Sequence, residues 1–416
     1  MRGFCPPARF RVWSRAFLLC TGLLLPAVAR GQTPAAAAEP GSELTVYLMT
    51  MGVGHYVWER FGHNAIGIRD ASTGLDVAYN YGVFSFQQEN FLWRFIQGRM
   101  RYWVAGEDAG AMVARYIRDN RSVWIQELNL TPAERLEIKR FLEWNAREEN
   151  KYYRYDYYRD NCSTRVRDVL DRVLGGRIRA RTDTAAAGTT FRWETLRLTA
   201  NSLPIYTGLL IAEGPAVDRP ISVWEEMFLP LALREEMRKI TVIGADGTER
   251  PLVSRERTLF ESDVPVPSAP PRWAGWFLLV GLGVGALMAW LGRARRASRA
   301  ARAGFVSLGM VWGLVTGLGG LIMLFLWAVT DHAIAYRNEN LLQFNPLALG
   351  LLVLLPLAAA GRRLPAARKL ALVLLVCSAA GLLLRLIPGL VQANLSVILM
   401  VLPIQAGILG GLRAEG

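Results

Sequence analysis

The sequence predicts an exported α+β domain followed by an all-α module of five transmembrane helices. Three observations lead there. Between residues 43 and 264, short alternating segments and capped helical repeats follow one another, whereas from residue 273 onward the chain is a series of long apolar runs. Lys and Arg cluster in the loops between those runs. The N-terminus combines a basic start, an apolar run from Ala16 to Leu25 and the small-residue ending Ala27-Val28-Ala29, the pattern of a secretory signal.

Composition points the same way. Hydrophobic residues make up 52 % of the 416 positions, and a mean hydropathy of +0.20 is high for a purely soluble protein. The formal net charge is +13, and as many basic residues sit in three places: Arg2, Arg9, Arg11 and Arg15; Arg293, Arg295, Arg296, Arg299 and Arg302; Arg362, Arg363, Arg368 and Lys369. The rest of the chain is near neutral, so no nucleic-acid partner is expected.

The expected parts are a signal peptide over 1–29, a flexible tether over 30–42, an exported domain over 43–264, a Pro/Ser linker over 265–272 and the membrane module over 273–416. Within the exported domain, Glu43–Met51 reads as a strand, with a short helix after Gly54. Asn64–Arg69 and Leu75–Val83 alternate around the turn signal Thr73-Gly74 and form a hairpin. Met100–Ala105 and Val123–Leu130 are further strands, with a helix over Asp108–Arg118 between them. Thr131 and Glu134 form a capping box with Pro132 at the first helical position, and Leu136, Phe141, Leu142 and Trp144 continue at helical spacing. Val166, Val169, Leu170, Val173 and Leu174 repeat helically until Gly175-Gly176, with Asp160 or Asn161 as cap. The spans are expected at Trp273–Leu291, Phe305–Val329, Leu347–Ala360, Leu370–Leu386 and Leu395–Leu412. The basic loops follow the first and third spans, and Arg413 follows the fifth, so these face the cytoplasm and residues from about 30 to 270 lie outside it.

The candidate chemistry centres on Cys162. Of the 4 cysteines, Cys5 and Cys20 belong to the signal and Cys377 to a span, which leaves one unpaired thiol in an exported domain. Cys162 falls in the first turn of its helix, where unpaired N–H groups and the helix dipole favour a thiolate and could hold an oxyanion. A thiol nucleophile needs a base. Among the 3 histidines, His63 stands at a strand start beside Gly62, whereas His55 lies in a loop and His332 follows the second span. For the group orienting His63, Asn80 is the first candidate and Asp76, in phase on the same strand, the second. Arg165 and Asp168 could bind a phosphate headgroup or hold the helix to the sheet. The aromatic residues from Tyr152 to Tyr158 could line an acyl groove or simply pack; the same holds for Phe91, Trp93, Phe95, Tyr102 and Trp103, some of which could dip into the outer leaflet. No Cys/His cluster with metal spacing and no Gly-rich phosphate loop occurs, so neither a metal nor a nucleotide cofactor is expected.

A histidine on a strand followed by a cysteine at a helix start resembles the circularly permuted papain-like thiol enzymes that include the lecithin:retinol acyltransferases. More specifically, RFGHNAIGI, AYNYGVFSF and YRYDYYRDNCSTRVRD, followed by five spans containing NENLLQFNPL, resemble the Lnb-type lipoprotein N-acyltransferases of diderm bacteria. The resemblance implies a papain-like periplasmic domain and acyl transfer from a phospholipid, through a cysteine thioester, to the α-amino group of a diacylglyceryl-modified lipoprotein. Mapped onto this chain, Cys162 is the nucleophile, His63 the general base and Asn80 its orienting group, with Asn161, Arg165, His332 and Asn340 as candidate substrate contacts. The alternatives are a periplasmic cysteine hydrolase (lipase, thioesterase or peptidoglycan amidase) and a non-catalytic membrane-anchored scaffold.

Overall fold

Residues 39–413, apart from 245, 388 and 391, are described by the structure, a computed structural model. The expected signal peptide, and the expected tether as far as residue 38, lie outside the described residues.

The exported part is built on a seven-stranded antiparallel sheet. Six of its strands are β1 (Leu44–Met51), β2 (His63–Asp70), β3 (Leu75–Val83), β4 (Arg101–Asp108), β5 (Val123–Leu128) and β6 (Tyr152–Arg154). The spatial order is Val253–Phe260, β5, β1, β2, β3, β4, β6. Four helices matter for the site: α1 (Phe91–Ile96), α2 (Ala109–Arg118), α3 (Pro132–Asn145) and α4 (Cys162–Val173). One sheet face packs Leu48, Ile66, Tyr79 and Tyr81 against Ile138 and Leu142 of α3 and Val166 and Leu170 of α4. The opposite face packs Met49, Met51, Ala65 and Ala78 against Met112 and Tyr116 of α2. Covered on both faces, β1 is apolar almost throughout rather than alternating. Burial of each such Leu or Ile contributes roughly 1.5–3 kcal/mol.

Local signals explain the helix boundaries. Thr131 and Glu134 make the reciprocal capping box, with the Thr131 N–H donating to Glu134 Oε2 at 2.7 Å. Asn161 caps α4, its Oδ1 accepting from the N–H groups of Ser163 and Thr164 at 2.9 Å each. The strand expected over Val123–Leu130 ends at Leu128, because the Asn129 N–H turns to the Leu252 carbonyl at 2.7 Å. The expectations assigned no element to 177–264. Among its described residues that stretch holds five short α-helices, among them Leu203–Ala212, a 3₁₀ turn, four strands of three to five residues and the edge strand Val253–Phe260. The edge strand escapes an apolar-alternation test because it is charged: Arg257 pairs with Glu127, and Glu256 with Arg234.

Among the described residues, five helical segments are long and apolar enough to cross a membrane: Ala274–Ala294, Arg299–Ala328, Glu339–Ala359, Leu364–Leu384 and Leu395–Arg413. The third differs most from its expected run. It is α-helical only over Leu351–Ala359, roughly 14 Å at 1.5 Å per residue. Its outer part is made of 3₁₀ turns at Glu339–Leu342 and Pro346–Gly350, where Asn345 takes the Leu347 N–H and Pro346 has no donor to offer. The first and fifth spans meet backbone to backbone, with Gly281, Gly285 and Gly292 lying against the main chain of Met400, Pro403 and Gly411.

The segment between the second and third spans is one of the joints with the exported part, beside Gln392 and Ala393, which bond Glu213 and Asp218. Asn338 Nδ2 donates to the carbonyls of Ile211 and Ala212 at 2.7 and 2.9 Å. Farther along the sheet edge, the Asp331 carboxylate pairs with Arg99 at 2.8 Å and Arg154 at 3.3 Å, and the Asp331 N–H donates to the Gln97 carbonyl at 2.8 Å.

Candidate active site

Strand register brings three polar side chains to one sheet face. Ala65 pairs with Asn80 and Ala78 with Glu107, so His63, two residues before Ala65, shares the face of Asn80 and Glu107. His63 Nε2 lies 2.7 Å from Asn80 Oδ1. Asn80 Nδ2 donates to Glu107 Oε1 at 3.2 Å, and Arg115 on α2 grips Glu107 through three contacts of 2.8–2.9 Å. The carboxylate can only accept, which points the Asn80 amide NH₂ at Glu107 and its oxygen at His63. His63 therefore carries its proton on Nε2, and Nδ1 keeps the lone pair a base requires.

Cys162 arrives from the opposite face of the sheet. The next residue of β2, Asn64, points toward α4, where its Oδ1 accepts from Ser163 Oγ at 2.9 Å, and the same hydroxyl lies 2.7 Å from the Met227 carbonyl. Consecutive strand residues thus serve two sides: His63 is held on the α2 face, and Asn64 moors the start of α4. The two meet over Gly82. This glycine has φ +88° at an irregularity of β3 between Asn80 and Val83. A Cβ placed on Gly82 would lie 3.5 Å from Cys162 Cβ, 3.9 Å from Tyr153 Oη and 4.0 Å from His63 Cε1. One side-chain-free spot is therefore ringed by the thiol-bearing carbon, a phenol and the imidazole. We expect Gly82→Ala to fill that spot and to strain the turn by about 1–2 kcal/mol, lowering turnover at least tenfold while circular dichroism still reports a folded protein; unaltered turnover would show that nothing reacts there.

The electrostatics correct one expectation. Burial pushes the Cys162 thiol up from its ordinary range. The backbone N–H groups of Asn64, Ser163 and Cys162 and the charge of Arg121 pull the other way without cancelling it. The helix start does stabilise a thiolate, but desolvation beside Tyr102, Tyr153 and Tyr155 outweighs it. Burial and then Arg121 lower His63 to about 4, while the hydrogen bond to Asn80 works in the opposite sense. At neutral pH the pair is thus a thiol and a neutral imidazole rather than a preformed ion pair.

Two polar atoms near this spot are buried without a hydrogen-bond partner, Tyr153 Oη and Arg121 Nη2. Arg121 is otherwise held by the Gly52 carbonyl at 3.0 Å from Nε and lies over the Tyr116 ring, which in turn stacks on His63 with centroids 5.9 Å apart.

The other candidates lie as follows. Asp76 is paired with Arg69 at 3.0 Å and bonds the Tyr47 hydroxyl. Arg165 pairs with Asp160 and covers the Tyr153 ring at 4.4 Å, whereas Asp168 pairs with Arg167. The Asn161 amide is engaged by its cap and by the carbonyls of Tyr157 and Phe228 at 2.9 and 3.0 Å. Asn340 is fully buried, donating to the Leu210 and Ile211 carbonyls and accepting from Asn394. His332 Nε2 meets the Phe95 carbonyl at 3.0 Å, and His55 is exposed. Sequence reasoning missed Glu107, Arg115, Arg121 and the individual position of Tyr153. Extending the alternation of β4 past Ala105 would have found Glu107 in phase with Trp103.

Residues 34–202 match the family model described as the Lnb N-terminal periplasmic domain, and residues 273–412 match the Lnb transmembrane domain. No curated protein and no solved structure matches the chain.

Proposed function

The chain belongs to the Lnb family, and on that premise we propose that it moves a fatty acyl chain from a phospholipid, through a thioester on Cys162, to the N-terminal amine of a diacylglyceryl-modified lipoprotein. It is a multi-pass inner-membrane protein with its N-terminal domain in the periplasm. The observation that carries the proposal is the convergence of Cys162 and the Asn80-bound His63 on the gap over Gly82.

In the first half-reaction, His63 Nδ1 takes the thiol proton as the sulfur attacks the ester carbonyl, forming the S–C bond. Asn161 takes the Ser163 and Thr164 N–H groups, so the oxyanion of the tetrahedral intermediate is held by the Cys162 N–H, with the partnerless Tyr153 hydroxyl as a further donor. Collapse breaks the ester C–O bond, and the imidazolium protonates the departing glycerol oxygen. In the second half-reaction the neutral α-amine attacks the thioester and gives its proton to His63. Collapse then breaks the C–S bond, and the imidazolium returns the proton to the sulfur. One site serves two substrates in sequence, so the kinetics are ping-pong. The permuted papain-like arrangement fits this order, with the base on a strand preceding the nucleophile at a helix start.

The test compares intact masses of lipoproteins from cells with and without this protein. The expected difference is one additional acyl chain on the lipoprotein amine, present only with the protein. Identical lipoproteins, or purified protein steadily releasing free fatty acid without an amine acceptor, would replace the transferase with a hydrolase.

A further inference from the structure

An exposed apolar surface surrounds α1. Phe86 is 74 % exposed, Leu92 68 %, Trp93 55 % and Phe95 43 %, all within ten residues of chain. A clustered patch of this kind marks a partner surface. Its position identifies the partner. Its C-terminal end is fastened to residues only a few positions beyond Ala328, where the second span ends on the side away from the Arg-rich loop. The Asp331 N–H donates to the Gln97 carbonyl at 2.8 Å, His332 Nε2 lies 3.0 Å from the Phe95 carbonyl, and Asp331 pairs with Arg99. Trp327 and Val329, at the mouth of that span, are themselves exposed and continue the apolar surface of the membrane helices toward α1. Aromatic residues at this level favour the headgroup–acyl boundary.

The patch is also joined to the site by rings. Phe95 neighbours Phe91, Phe91 neighbours Phe84 and Phe86, Phe84 lies 5.1 Å from Tyr102, and Tyr102 stacks on Tyr155 at 4.2 Å. Tyr102 and Tyr155 stand close enough to Cys162 for a thiolate formed there to act on both.

We propose that residues 84–96 seat Phe86, Leu92, Trp93 and Phe95 in the periplasmic leaflet, so that a phospholipid beside α1 is the donor delivered along the rings to Cys162. The delivery part rests on the acyl-transfer reading; the seating in lipid does not.

The test uses the full chain in nanodiscs whose phospholipids carry bromine at graded depths. Because the chain has 13 Trp, the readout is the difference in quenching between the protein and its Trp93→Phe variant. Quenching lost in the variant, largest for bromines near the glycerol, is expected, and no difference at any depth overturns the seating whether or not the protein transfers acyl groups. For delivery, a Phe86→Ser/Leu92→Ser/Phe95→Ser variant is compared on bilayer phospholipid and on a water-soluble short-chain thioester. The ratio of the two acylation rates should fall about tenfold, the effect of removing several buried apolar contacts with lipid. An unchanged ratio in a variant that keeps its rate on the soluble thioester overturns delivery; should the triple variant lose that rate too, the same comparison is made with Leu92→Ser alone, and an unchanged ratio there overturns delivery.

Discussion

A Cys162→Ala variant is expected to lose acyl transfer by at least about 10³-fold, because removing the nucleophile eliminates the covalent route altogether. Intact-mass measurement of the purified protein incubated with phospholipid should show one acyl increment on the wild type, labile to hydroxylamine, and none on the variant. Cys162→Ser should not substitute: an alcohol is far less acidic than a thiol, and a neutral imidazole lowered to about 4 is a weak base with which to deprotonate it. Stability should change little. Cys162 is only partly buried, and α4 is moored by Asn161, Ser163 and the apolar residues Val166, Val169 and Leu170 rather than by the thiol. An unmodified wild-type thiol after exposure to donor, or undiminished transfer by the alanine variant, would remove Cys162 from the mechanism.

His63→Ala should lower thioester formation by about 10²–10⁴-fold, the range for loss of a positioned general base, and its pH profile should identify the cause. Only neutral imidazole accepts the thiol proton, so the reaction is present above the His63 pKa and is lost as pH falls through it. Since burial and Arg121 hold that value at about 4, the acid limb of kcat/KM for thioester formation should lie near pH 4 instead of near the ordinary histidine value of about 6.5. Arg121→Leu removes a lowering influence and should move the limb upward. Asn80→Ala removes a raising one, so it should not move the limb up; its larger effect is a slower rate, because the imidazole loses the partner that fixes its tautomer. A limb at the same pH in wild type and Arg121→Leu would mean that another group titrates.

Much of the site-bearing half of the exported domain was legible because its signals are local. The hairpin of β2 and β3 shows period-two alternation around a turn, α3 opens on a capping box, and α4 runs from an Asn cap to a glycine pair whose φ values are +64° and +81°. Each of these is satisfied by neighbours within a few residues. Between Arg177 and Phe260 the elements are short, and the edge strand is held by ion pairs to β5 and to the helix Pro230–Met237. Its partners are remote in sequence, so no window of neighbouring residues betrays it. The same applies to Arg115 and Arg121. On α2 and just beyond it they read as ordinary surface charges, until the sheet register brings Glu107 and His63 beneath them.

By itself the sequence determined the division into a periplasmic domain and five membrane helices and the direction in which those helices run, because transfer of apolar runs and basic loops between water and lipid is close to a sum over residues. Only the tertiary structure decided that Asn80 and not Asp76 touches His63, that the Cys162 Cβ and the His63 ring both lie beside Gly82, and that the thiol's pKa is raised although it stands at a helix start. Those outcomes depend on register and desolvation, which are set by residues that become neighbours only when the chain has folded.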